Sequence, residues 1–159
     1  MARKFNGKQL IESMVLMEQK VGEFYNKLSG QMKDEKAKNL FLKLAKDENR
    51  HEKIYKGLLN RLPNDGDVEM SEEDVEYIEL LINKSIFVNK EVEKRYSKFD
   101  ALLLAEKVER DGIMFVNLLR EMYPKIVQDE LDIILSEEKK HLKTVLDNKI
   151  YSSAPSLML

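Results

Sequence analysis

The stretch LAKDENRHEKIY, residues 44–55, carries two ionisable side chains on a stripe that is otherwise apolar. Apolar residues recur every three or four positions from Phe41 to Leu58, which is the spacing of one face of an amphipathic helix. Glu48 and His51 fall on that same face, three positions apart. Because charged side chains are seldom buried without a partner, this pair predicts a polar site inside the fold.

A second stretch, ILSEEKKHLKTV at residues 134–145, repeats the pattern with Glu138 and His141. The chain has two histidines, and each follows a glutamate by three positions. Two other apolar stripes each carry one acid, Glu18 in the first half of the chain and Glu109 in the second. Corresponding residues of the two halves are 90 or 91 positions apart, which indicates an internal repeat.

Helix start and stop signals divide the chain into four long helices and one short helix. Ser29-Gly30 predicts a helix end, and Asp34 predicts an N-cap. Ser71 with Asp74 resembles a capping box that opens the short helix. The predicted helices are residues 7–28, 34–59, 72–84, 98–122 and 124–148.

Short loops join the long helices within each half, whereas a long connection containing the short helix joins the two halves. This order predicts an all-α four-helix bundle made of two helical hairpins and a crossover. We expect residues 1–150 to form this one domain and residues 151–159 to form a flexible C-terminal tail.

Composition excludes several classes of function. The 159 residues include 27 Lys and Arg against 29 Asp and Glu, and this balance argues against a nucleic-acid surface. The absence of cysteine excludes disulfides, thiol nucleophiles, iron–sulfur clusters and cysteine-ligated zinc. No uncharged apolar run approaches the ~20 residues of a membrane span, so we expect a soluble, cytoplasmic protein with no membrane partner.

The inward acids and histidines suit a pair of metal ions. One Glu from each of two helices and a Glu-x-x-His from each of the other two is the ligand set of two-metal carboxylate bundles. Four carboxylates balance two divalent ions, whereas the same acids without metal would crowd in a medium of low dielectric and stay partly protonated. Oxygen donors with some imidazole suit iron or manganese, and zinc would also bind.

At these residues the sequence resembles the rubrerythrin branch of the ferritin-like superfamily. EQKVGEFYNKL, LAKDENRHEKIY, AEKVERDGIMF and ILSEEKKHLKTV look like the four helix motifs of that family in order, and YIELLINKSIF looks like its crossover. The resemblance implies a ferritin-like bundle that holds two iron ions per chain, with Glu48 and Glu138 bridging them. It also implies that Tyr25 lies beside the cluster as a catalytic residue. The implied iron ligands are Glu18, Glu48, His51, Glu109, Glu138 and His141.

The resemblance further implies a reduction of hydrogen peroxide or dioxygen by ferrous and ferric cycling, and a possible homodimer. Rubrerythrins proper carry a rubredoxin-like domain with four cysteines, so here we expect an external electron donor such as a rubredoxin-like protein. Two positions depart from the family pattern. Gly112 stands where typical members have an extra glutamate, and Val116 is the counterpart of Tyr25 in the repeat.

Alternatives stay open at several points. Instead of turning over, the protein can store or transfer iron, or act as a metal-dependent sensor or assembly partner. Tyr25 can be a core residue whose hydroxyl contacts a ligand carboxylate. Glu106 is an additional ligand, a nearby acid or a solvent-exposed side chain. Three acids near the motifs are interpreted as solvated charge, namely Asp47, Glu52 and Glu137.

Overall fold

The computed structural model describes residues 2–62, 67–84, 95–124 and 128–153. The predicted four long helices and the short helix are present, and two short strands accompany them. The elements in chain order are β1 (Ala2–Asn6), α1 (Gly7–Gln31), α2 (Glu35–Leu59), β2 (Asp67–Ser71), α3 (Glu72–Lys84), α4 (Lys98–Met122) and α5 (Gln128–Ser153).

The long helices form a four-helix bundle, which confirms the predicted fold class. α1 packs along α2, α4 packs along α5, and α1 also contacts α4. Among the described residues, none of the helices combines the length and the apolar character that a membrane span needs. Three predicted features lie partly outside the described residues, namely the end of the crossover motif at residues 85–87, the start of the last helix at residues 125–127 and the tail at residues 154–159.

Side-chain caps begin the helices where the sequence predicts them. The Asp34 side chain accepts a hydrogen bond from the Lys36 amide at 3.1 Å, so α2 starts directly after it. Ser71 accepts from the Asp74 amide at 3.1 Å and donates to the Asp74 carboxylate at 2.6 Å. Ser71 therefore caps the start of α3 as the capping box predicts, whereas Asp74 contacts the Ser71 hydroxyl instead of its backbone amide.

Two helix ends differ from the prediction. The stop expected at Ser29-Gly30 is too early, because α1 continues to Gln31 and the Met32 amide still donates to the Leu28 and Ser29 carbonyls. α5 extends to Ser153, five residues beyond the predicted end at Asn148. The first residues of the predicted tail are therefore helical.

The structure contains a two-stranded antiparallel sheet, whereas the sequence analysis predicts no strands. β1 and β2 pair with Phe5 opposite Val68, and Phe5 is buried. Phe5 packs in the same cluster as Leu62 and Val75. The sheet therefore attaches the start of the chain to the crossover and adds apolar surface to one end of the bundle.

A polar layer divides the apolar core into two parts. One hydrophobic cluster contains Met14, Tyr55 and Phe115, and the other contains Val21 and Val145. Along each long helix the predicted ligands lie between members of these two clusters. The apolar clusters above and below this layer place the acids and histidines away from bulk water.

Candidate metal centre

The six predicted ligands come together in the middle of the bundle. Each is at least 95% buried by relative accessible surface, although each is polar or charged. Their ligand atoms form two groups, and within a group these atoms all lie within 4.8 Å of one another. The first group is Glu18, Glu48, His51 and Glu138, and the second is Glu48, Glu109, Glu138 and His141.

The two groups share Glu48 and Glu138. Each group has one histidine of its own and one acid of its own, which come from different helices. This is the arrangement that two adjacent metal ions with two bridging carboxylates require. The shared pair is the one to which the family resemblance gives the bridging role.

Both histidines direct Nδ1 toward the carboxylates. His51 Nδ1 lies 3.2 Å from Glu48 Oε2 and 3.1 Å from Glu138 Oε1. His141 Nδ1 lies 3.3 Å from Glu109 Oε2 and 3.8 Å from Glu138 Oε2. The two rings stack with centroids 5.7 Å apart. Nδ1 is thus the nitrogen that each ring offers to a metal ion.

The outer nitrogens contact two acids that the sequence analysis assigns to solvent. His51 Nε2 lies 2.8 Å from Glu137 Oε2, and His141 Nε2 lies 3.1 Å from Asp47 Oδ2. Both acids are only about one-fifth exposed, so their interpretation as solvated charge is wrong. The same interpretation is wrong for Glu52, whose side chain is 15% exposed and contacts Gln19 and Lys56. Each acid comes from the helix that does not carry its histidine. A carboxylate on the far nitrogen fixes the ring orientation of a metal-binding histidine.

Burial and mutual repulsion control the charges of the acids. Burial, with the charges of Glu48 and Glu138, raises the pKa of Glu18 well above its ordinary value. Burial, with the same two charges, also raises the pKa of Glu109. Burial opposes ionisation of Glu138, but the two histidine rings beside its carboxylate outweigh burial and lower the pKa to about 2. Part of the cluster is therefore protonated near neutrality, as predicted.

The histidines carry the compensating charge. Burial alone would lower the pKa of His51, but hydrogen bonds to Glu138 and Glu48 raise it to about 10. The pKa of His141 rises to about 11 against the same burial penalty, chiefly through Glu109 and Glu138. Without metal, both rings are imidazolium ions at neutral pH. A metal ion would have to displace those protons in order to bind Nδ1.

Three buried polar atoms of the cluster have no hydrogen-bond partner in the described structure: Glu48 Oε1, Glu109 Oε2 and His141 Nδ1. The 3.3 Å contact between the last two lacks hydrogen-bond geometry. Buried polar atoms normally have partners, so these three point to a group that binds between them. The donor set of four carboxylates and two imidazoles fits two divalent metal ions.

A sequence comparison decides the family. The profile of the rubrerythrin family matches residues 9–148, which include all four long helices except their outermost residues.

The chain belongs to the rubrerythrin family.

A solved structure supports the fold of this rubrerythrin-family chain. It is a Thermotoga maritima protein provisionally described as a ferritin-like diiron-carboxylate protein. The two share 20% identity with a TM-score of 0.72, over 95% of this chain and 99% of the other. At that identity the likeness establishes a ferritin-like fold alone. No curated protein matches the chain in sequence.

Tyr25 lies beside the cluster, where the rubrerythrin resemblance places it. It is fully buried, and its hydroxyl donates to Glu109 Oε1 at 2.5 Å. Burial and the charge of Glu109 raise the pKa of Tyr25 well above its ordinary value, so it stays a protonated donor. This contact fits the packing alternative, while the catalytic role of Tyr25 stays a prediction.

Tyr55, one turn after His51, is a residue that the sequence analysis did not single out for the site. It is fully buried, and its hydroxyl has no hydrogen-bond partner in the described parts of the chain. Burial, with the charge of Glu18, raises its pKa. The available signal was its position on the same helical face as Glu48 and His51.

Removing the hydroxyl group is expected to change the stability of the protein differently at Tyr25 and at Tyr55. In metal-free protein Tyr25→Phe is expected to cost about 1–3 kcal/mol of stability, because it leaves a buried Glu109 oxygen without its donor. Tyr55→Phe is expected to be neutral or slightly stabilising, because it removes an unpaired buried hydroxyl. Urea unfolding of both variants measures the difference. An equal loss of stability in both would contradict this geometry.

Glu106 lies outside the two groups of ligand atoms. Its carboxylate accepts hydrogen bonds from Arg110 on its own helix and from Lys149 on α5. These contacts lower the pKa of Glu106, with Lys149 contributing most. The Glu106 carboxylate is thus partly buried and ion-paired. Glu106 is neither a fully solvent-exposed side chain nor a member of the ligand groups.

Gly112 faces Glu138 directly. A Cβ at this position would lie 3.2 Å from the carboxyl carbon of Glu138 and 3.3–3.4 Å from its oxygens. Glycine inside a helix costs about 1 kcal/mol relative to alanine, and nothing in the backbone of α4 requires it here. The glycine therefore leaves room for the carboxylate that both ligand groups share.

Proposed function

We propose that this rubrerythrin-family chain binds two iron ions per chain and reduces hydrogen peroxide or dioxygen with electrons from an external donor. The observation that carries the proposal is the pair of overlapping ligand groups that share Glu48 and Glu138. Two ions held side by side by common carboxylates can deliver two electrons to one substrate. Manganese or zinc suits the same donors, so the metal is part of the proposal.

The proposed ligands divide between the two ions. Glu18 and His51 would hold one ion, Glu109 and His141 would hold the other, and Glu48 and Glu138 belong to both ligand groups. When bound, two ferrous ions would supply the two electrons that convert hydrogen peroxide and two protons to two waters. The four carboxylates offset the charge of two divalent ions, which suits a site between two apolar clusters.

Contacts with surrounding residues hold the proposed ligands in place. Tyr25 donates to Glu109 and fixes that carboxylate. Asp47 and Glu137 hold the outer nitrogens of the histidines. Gly112 leaves space at Glu138, where typical rubrerythrins have a further glutamate. A fixed cage of this kind limits the reorganisation that accompanies electron transfer.

The electron donor must lie outside these residues. The 159 residues contain no cysteine, so they hold no rubredoxin-like iron site. A rubredoxin-like protein is therefore the proposed source of electrons.

Rapid mixing of anaerobic, ferrous-loaded protein with hydrogen peroxide tests the activity. Ferrous iron is expected to oxidise in one fast step, at least about tenfold faster with peroxide than with the same concentration of dioxygen. Because each ion yields one electron, oxidation is expected to stop after one cycle until an external reductant and a rubredoxin-like donor are added. Stopped-flow absorbance follows the reaction, and Glu48→Ala protein serves as the control.

Other outcomes favour the alternatives. Faster oxidation by dioxygen than by peroxide would indicate an oxidase or ferroxidase. Retention of ferric iron without renewed turnover in the presence of donor would favour iron storage. Binding of two metal ions without oxidation by either reagent would contradict peroxide and dioxygen reduction and favour a sensor or assembly role.

A further inference from the structure

An arginine links the two acids that hold the histidines. Arg50 Nη2 donates to Asp47 Oδ1 at 3.1 Å and to Glu137 Oε2 at 2.6 Å. Asp47 lies on the same helix, whereas Glu137 lies across the bundle on α5. The same two acids contact His141 Nε2 and His51 Nε2. One guanidinium therefore reaches both histidines through one carboxylate each.

The contacts of Arg50 with Asp47 and Glu137, and of these acids with the histidines, form one network. This network explains why both rings present Nδ1 to the cluster. Asp47 and Glu137 carry like charges and would repel each other without a cation between them. Arg50 is the cation that contacts both in the described structure. With the two acids held in place, each outer nitrogen has a fixed partner, and rotation of either ring would break that contact.

The network lies at the solvent side of the centre. Arg50 is about half exposed, whereas the two histidines are buried. A surface pocket of about 230 Å³ lies over the network and is lined by Lys43, Asp47, Arg50, Glu137, Lys140 and His141. A change at Arg50 is therefore expected to leave the apolar core intact and to act on the outer side of the histidines.

We propose that Arg50 is a positioning residue for the metal centre: it clamps Asp47 and Glu137 against the outer nitrogens of His141 and His51, and so presents both Nδ1 atoms for metal binding. This inference rests on the proposed metal-binding function. It adds that the affinity of the centre depends on a residue whose described ion pairs are with Asp47 and Glu137 rather than with the six ligands.

Whether metal affinity rises or falls when Arg50 is replaced separates a positioning role from a purely electrostatic one. Removing a positive charge near a cation site should tighten metal binding if charge alone matters. Loss of the clamp should instead weaken binding, because the histidine rings lose their fixed orientation. Outer-shell partners of metal ligands are typically worth 10- to 100-fold in affinity.

The test compares Arg50→Gln with Arg61→Gln in the full chain. Arg61 is equally exposed, and it also pairs with an acid of α5, Glu130, but it does not contact the cluster acids. Co²⁺ is the probe, because its visible spectrum reports the coordination geometry while competition with a chelator gives the affinity. Thermal melts of both metal-free variants check that each substituted chain is still folded at the temperature of the binding measurement.

Arg50→Gln is expected to weaken Co²⁺ binding about 10- to 100-fold and to alter the visible spectrum, while Arg61→Gln binds Co²⁺ like the wild type. Unchanged or tighter binding in Arg50→Gln would overturn the positioning role and leave the proposed function intact. An equal loss in both variants would overturn it as well. If the wild type itself binds no Co²⁺, Fe²⁺ or Zn²⁺, the proposed function and this inference both fail.

Discussion

Replacing Glu48 by Ala is expected to abolish the paired binding of two metal ions, with affinity falling by more than about 100-fold. Loss of a shared ligand should exceed the 10- to 100-fold effect of losing an outer-shell partner. Glu48 belongs to both ligand groups, so its removal affects both ions at once. Isothermal titration with Fe²⁺ under anaerobic conditions measures the stoichiometry and the affinity.

Glu52→Ala is the matched control. Glu52 lies one turn further along α2 and contacts Gln19 and Lys56 rather than the cluster. This variant is expected to bind two ions with wild-type affinity. Full occupancy of two sites in Glu48→Ala protein would show that the shared carboxylate is not a bridging ligand.

Metal ions are expected to stabilise the fold more strongly as the pH rises. In metal-free protein the raised pKa values of His51 and His141 contribute stability that is complete below about pH 6.5 and is lost toward pH 10. The raised pKa values of Glu18 and Glu109 act in the same direction, because unfolding releases their protons above about pH 4.5. The metal-free protein should therefore melt at lower temperature at pH 9 than at pH 6.

At acidic pH the stability of the metal-free protein is expected to fall, rather than rise, as the pH decreases. The pKa of Glu138 is lowered to about 2, so its contribution to stability is present above about pH 4.5 and is lost as the pH falls. The melting temperature of the metal-free protein should consequently be highest near about pH 5–6.

Bound metal is expected to offset the loss of stability that the metal-free protein shows at high pH. Divalent ions must displace protons from the histidines and from the acids whose pKa values are raised, so the affinity for metal rises with pH. Differential scanning calorimetry with chelator and with added Zn²⁺ from pH 5 to 9 measures both effects. At 100 times the dissociation constant, each site should add about 2.7 kcal/mol. A metal-free protein that melts higher at pH 9 than at pH 6 would contradict the assigned charges.

The convergence of the six predicted ligands follows from patterns that are local in sequence. A glutamate or a Glu-x-x-His on an apolar helical stripe must face the core once the helix packs. Four such stripes in a bundle necessarily bring these side chains together. Tyr25 reaches Glu109 for the same reason, since it lies two turns after Glu18 on the inward face of α1.

The acids around the histidines could not be predicted from one helix at a time. Asp47 and Glu137 each directly precede a shared glutamate, a position that helical periodicity assigns to the edge of the polar face. Their contacts depend on the crossing of α2 and α5, because each acid bonds the histidine of the other helix. The one available signal was their matching position in the two repeats.

The sheet escaped prediction for a similar reason. β1 and β2 are five residues each and pair across more than 60 residues of chain, so neither carries a local turn signal. Ser29-Gly30 predicts a helix end, yet α1 continues one residue past Gly30 and closes with backbone hydrogen bonds from the Met32 amide. Such ends depend on local hydrogen bonding rather than on residue type alone.

Anomalous diffraction at the iron edge, from crystals of ferrous-loaded protein, tests the central claim most directly. Two iron peaks per chain are expected between Glu48 and Glu138, one beside His51 and the other beside His141. A single peak, or iron bound only outside this cluster, would contradict the assignment of a two-metal centre.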